Sequence, residues 1–116
     1  MIVVINKMEA AALTMHMNVM RPSFRNITKK NYPDKLKEYI SSYDYIKNES
    51  SMALEYEVDT YNLNLNIVYL NVLQAFLKSY IDKSQEINEE SKSEDFQEHL
   101  DALNNVQIKC QELKSA

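Results

Sequence analysis

The chain has no glycine in 116 residues, where average usage of about 7% would place roughly eight. Glycine supplies the left-handed positions of hairpin turns and helix C-caps, and the close backbone approach of phosphate-binding loops. Without it there is no P-loop, no dinucleotide fingerprint and no G-x-S-x-G nucleophile elbow. Left-handed positions then fall to asparagine, with Asn48, Asn62, Asn88, Asn104 and Asn105 as the candidates. The expectation is an all-α chain built from helices and short connections.

The length predicts a single helical domain over residues 1–116, and an apolar fraction of 45% can fill one core. A net charge of −4 argues against a general nucleic-acid binder, which needs a basic footprint. Cys110 is the only cysteine, so neither an internal disulfide nor a thiolate zinc site can form. That composition fits a cytoplasmic protein. The apolar run Met1–Ile5 has Lys7 after it rather than a basic segment before it, and Asn6, Glu9 and His16 interrupt the first twenty residues. It therefore predicts a buried first element or, as the alternative, an exposed apolar arm that docks on a partner, not a secretory signal or a membrane span. Heavy use of Asn, Lys, Ile and Tyr without glycine points to an AT-rich bacterial or viral genome.

Apolar spacing predicts helices near 7–20, 33–48, 52–90 and 94–114, with a loop over 21–31. Pro22 is expected to stop the first helix, because proline lacks the amide and crowds the preceding turn. Pro33 suits the first position of the second. The third carries a stripe from Leu54 through Val58, Tyr61, Leu65, Val68 and Val72 to Phe76. At about 1.5 Å per residue it would span about 58 Å, so it either breaks between Ser50 and Asn66 or projects towards a second chain. Hence a homodimer or hetero-oligomer is expected. The alternative is α+β: strict alternation at Tyr61–Ile67 fits a strand, paired as a hairpin with Leu54–Val58 within 54–70. Ser91 or Ser93 would cap the last helix. Its seam repeats Phe96, Leu103 and Cys110 at seven-residue spacing, interleaved with His99, Val106 and Leu113. Lys109 lies off that seam and is read as exposed. No internal repeat is visible.

Candidate chemistry is sparse. His16 and His99 stand in no H-x-x-x-H or E-x-x-H pattern, and a di-iron bundle would need two such motifs. No metal, cofactor or catalytic group is expected. His99 on the seam implies a mild pH sensitivity, and Cys110 is placed as a core hydrophobe. Charge is uneven. Arg21, Arg25, Lys29, Lys30, Lys35 and Lys37 face only Asp34 within 21–37, whereas Glu86, Glu89, Glu90, Glu94, Asp95, Glu98 and Asp101 face only Lys92.

These patterns lead to a non-enzymatic protein–protein interaction module: a small acidic chaperone, adaptor or regulatory subunit holding an apolar or helical segment of another protein. Partner-binding candidates are Met8, Met15, Tyr39, Tyr43, Tyr61 and Tyr69, since tyrosine and methionine are enriched at interfaces. The alternative is a nucleic-acid-associated regulator using Arg21, Arg25, Lys29 and Lys30, with Phe24 and Tyr32 stacking on bases. Nucleic acid is the less expected partner, because the whole chain is acidic.

Overall fold

Strand β1 (Ile2–Asn6) alternates buried Val3 and Ile5 with exposed Ile2 and Val4. It ends where Asn6 starts helix α1 (Lys7–Asn31). The Asn6 side chain accepts the Glu9 amide at 2.8 Å, and the Glu9 carboxylate accepts the Asn6 amide at 2.8 Å, a reciprocal capping box. A 3-10 turn over Pro33–Lys35 leads into α2 (Leu36–Glu55). Strand β2 (Thr60–Asn64), helix α3 (Ile67–Ser91) and helix α4 (Glu94–Ser115) complete this computed structural model, which describes residues 1–115. The result is a small four-helix bundle with one two-stranded antiparallel ribbon.

In the ribbon Val3 lies opposite Leu63 and Ile2 opposite Asn64. Met1 and Leu65 exchange backbone hydrogen bonds. By alternation, Val3/Leu63 and Ile5/Tyr61 are then the bonded pairs, and the backbones of Val4 and Asn64 point to the free edges. Both edges carry a side-chain donor. The Lys109 ammonium donates to the Val4 carbonyl and the Tyr45 hydroxyl to the Asn64 carbonyl, each at 2.9 Å. Occupied edge carbonyls oppose pairing with a further strand.

Helix α1 packs on α2 and α4, and α3 packs on the same two, so α1 and α3 face each other across the bundle. The order βααβαα is a duplication. Adding 60 to a residue number in the first half gives its counterpart in the second: α1 starts at Lys7 and α3 at Ile67, each after a capping asparagine, Asn6 or Asn66. Burial follows the same shift, pairing Leu13 with Leu73, Tyr43 with Leu103 and Ser50 with Cys110. The Val3/Leu63 pair sits on the implied pseudo-twofold axis. The expectation of no internal repeat is therefore corrected. Only Asn6, Leu13, Ile27 and Glu38 recur unchanged at this offset, because the shared feature is apolar placement rather than identity.

Several boundaries differ from expectation. Residues 21–31 are not a loop but the second half of α1, which runs through Pro22. Asn18 and Pro22 both face solvent, so the carbonyl that proline leaves unbonded can be hydrated, and packing of Phe24 and burial of Thr28 hold the turns beyond. The 52–90 helix breaks between Tyr56 and Asn66. The alternating reading of Tyr61–Ile67 locates β2, but its partner is β1, not Leu54–Val58. With α3 only 25 residues long, the projecting helix that motivated oligomerisation is gone. The left-handed positions are Glu57 and Lys92, φ 52° and 54°, not asparagines. Ser93 caps α4, its hydroxyl accepting the Phe96 amide at 3.3 Å.

Candidate binding groove

The diagonal between α1 and α3 is not filled along its whole length. A groove of about 840 Å³ opens between the C-terminal half of α1, the start of α2 and α3. Met20, Phe24 and Ile27 come from α1, Tyr39 from α2, and Val72 and Phe76 from α3; no α4 residue lines it. The i, i+4, i+7 spacing of Met20, Phe24 and Ile27 puts all three on one helix face, and the 3-10 turn carries Tyr32 and Lys35 to the end of the groove. Polar handles on this mostly apolar lining are Ser23, Asn26, Thr28, Glu38, Asn71, Ser79 and the tyrosine hydroxyls. Lys83 on the α3 wall makes no ion pair among the described residues, and Lys35 meets Glu38 at 3.7 Å with both side chains about half exposed.

Tyr80 closes the inner end of the groove and connects it to a buried polar chain. Its hydroxyl meets His16 Nδ1 at 2.5 Å, and His16 Nε2 meets His99 Nδ1 at 3.1 Å. Two proton arrangements satisfy both contacts, with hydrogens donated from Tyr80 to His16 to His99 or all in reverse. Burial, and then the His99 charge, hold His16 down at about 4. Burial raises the Tyr80 phenol, with Ser84 acting against it.

The partner candidates separate. Tyr39 lines the groove, and Met8 and Met15 stand exposed on α1. Tyr43 is core, correcting its placement at an interface: its hydroxyl donates to the Met17 carbonyl at 2.7 Å and its ring stacks on Phe24. Tyr69 stacks half-buried on Tyr45, and Tyr61 reaches Glu49 at 3.4 Å. Of the seam, Leu103, Val106 and Cys110 are buried, while Phe96, His99 and Leu113 are half-buried, with Phe96 and His99 against the His16 ring. Lys109 is not free. Its ammonium lies 2.8 and 2.9 Å from the two carboxylate oxygens of Glu9, whose side chain is 2% exposed. With a loop expected over 21–31, Phe24 and Ile27 were not joined to Met20 on one helix face, although the i, i+4, i+7 spacing was legible.

The basic segment also divides. Arg21 forms a two-pronged pair with Asp44 at 2.7 and 2.8 Å; those hydrogen bonds hold the Asp44 carboxyl below its usual range. Arg25, Lys29 and Lys30 are exposed along α1. One face of the Phe24 ring is stacked on Tyr43 at 4.4 Å, and the side chain lines the groove. Among the described residues no three His, Cys, Asp or Glu side chains gather as a metal site, and no helix is long and apolar enough to cross a membrane. No family model, curated protein or solved structure matches this chain.

Proposed function

We propose that this chain is a non-enzymatic protein-interaction module whose α1–α2–α3 groove holds the apolar face of a helical segment. The groove itself carries the reading: it has a mostly apolar lining, polar handles, and Ile27 at its lip still 59% exposed. A helix presenting apolar side chains at i, i+3, i+4 and i+7 matches such a trough. The other reactive groups support a binding role. Burial pushes the Cys110 thiol up to about 11, leaving no thiolate for attack at neutral pH. Both ring nitrogens of His16 are occupied by protein partners, so it has none free for a substrate.

The test is fluorescence anisotropy with a labelled amphipathic peptide bearing leucine at those four spacings. Ala75 is exposed on the groove wall, so Ala75→Trp fills the trough without entering the core. Micromolar binding by the parent and a tenfold or greater loss in Ala75→Trp is the expected result. Equal binding by both proteins would remove the groove from the function.

A further inference from the structure

The groove has a counterpart on the other half of the molecule, opposite in charge. The 60-residue shift carries the groove wall Val68, Ala75 and Ser79 onto Met8, Met15 and Val19 of α1, and Ile27 onto Ile87 of α3. All four counterparts are exposed: Met8 44%, Met15 51%, Val19 68% and Ile87 58%. Large apolar side chains gathered at a surface mark an interaction site. This second surface is filled rather than hollow. His16 replaces Phe76 and joins Tyr80 and His99, while Asn88, Gln85 and Gln97 bond one another at 3.0–3.1 Å beneath it.

The rims differ in sign at matched positions. Lys35 in the groove lining and Lys29 and Lys30 near the end of α1 become Asp95, Glu89 and Glu90 on the other half, while Glu38 in the lining recurs as Glu98. One half thus offers an apolar hollow with Lys35 and Lys83 beside Glu38 in its lining, and the other an apolar patch on a segment dominated by carboxylates. The basic and acidic segments of the sequence are one structural segment seen twice.

We propose that the filled acidic patch of one copy docks into the basic groove of a second copy, building a head-to-tail assembly; this rests on the groove being a docking site. Ile87 and Val19 supply apolar area, and the carboxylates at 89, 90 and 95 meet the ammonium groups of Lys30, Lys35 and Lys83. Complementary rims fix the register and speed the encounter, and salt screens both. The two surfaces differ, so the contact is heterologous and leaves one free groove and one free patch on every dimer. Growth continues unless the rotation closes a ring.

Sedimentation velocity on the full chain tests this. The mass of the wild type is expected to rise with concentration in about 50 mM salt and to fall towards the monomer in about 500 mM. Ala75→Trp blocks the groove and keeps the patch; Val19→Arg with Ile87→Arg blocks the patch and keeps the groove. All three changes are at exposed positions, and circular dichroism verifies the fold. Each variant alone should stay monomeric, and an equimolar mixture should give a one-to-one dimer and nothing larger. A wild type that is monomeric at about 1 mM in low salt, or variants that associate as the wild type does, would overturn the proposal. In the first case, leucine-peptide binding that Ala75→Trp abolishes leaves the groove reading standing; absence of that binding as well removes both.

Discussion

His16 is the residue whose chemistry departs most from its neighbours. Its folded-state value of about 4 lies below the ordinary 6.5 because a charge there would be buried and would face His99. The unfolded chain takes up a proton near pH 6.5 that the folded chain refuses until about pH 4. Stability from this group is complete above the ordinary value and is lost as pH falls through that window, by about 3 kcal/mol. Urea midpoints measured from pH 7.5 to 4.5 should show the fall. His16→Phe places there the side chain that Phe76 carries in the other half, and should flatten the profile relative to the wild type. If the two profiles run parallel, His16 does not titrate as described. Lys109 makes a second residue-scale case. Off the seam, it reads as a solvated charge, yet it neutralises the Glu9 carboxylate and binds the Val4 carbonyl. Lys109→Ala leaves a buried carboxylate without its cation and should cost about 1–3 kcal/mol. In a double-mutant cycle with Glu9→Gln, most of that cost should disappear; independent, additive losses would mean the pair is not coupled. Sequence spacing could not reveal this contact, because its partners lie 100 residues apart.

At the scale of elements, α4 was legible in full, since a sustained apolar seam and a serine cap agree on one answer. Leu103 is fully buried, so Leu103→Ala should cost about 2–5 kcal/mol in chemical denaturation. Helix α1 was legible only to Met20. Proline is a strong local signal, but tertiary packing of the turns beyond it outweighs a local cost of about 3 kcal/mol. Pro22 is exposed and inside the helix, so Pro22→Ala restores an amide and should raise the thermal midpoint by several degrees. A lowered midpoint would mean that the helix needs the ring. The β2 segment was ambiguous for another reason. Tyr61, Leu65 and Val68 satisfy a helical spacing while Tyr61, Leu63 and Leu65 satisfy a strand, and only the β1 partner decides. That partner is some 60 residues away, outside the reach of any local pattern.

For the whole molecule, the duplication explains why the charge is uneven. Segments 21–37 and 81–97 are the same structural segment in two halves, basic in one and acidic in the other. No inspection of either half alone exposes this, and with four identities at the offset the repeat is silent until the elements are laid side by side. The arrangement also bears on nucleic acid. A phosphate backbone needs several free cations on one face, with affinity that falls steeply in salt. Here Arg21 is committed to Asp44, which leaves Arg25, Lys29 and Lys30 along α1 in a molecule of net charge −4. Three exposed cations release about as many counterions, which gives weak, sequence-independent affinity at physiological salt. In about 150 mM salt, single- and double-stranded oligonucleotides should therefore bind no tighter than about 10⁻⁵ M, a value typical of non-specific contact. Replacing Arg25, Lys29 and Lys30 together with alanine should weaken that residual binding further and flatten its salt dependence. Sub-micromolar binding that the triple replacement abolishes would instead make the basic face of α1 a nucleic-acid surface, and the groove beside it a secondary feature.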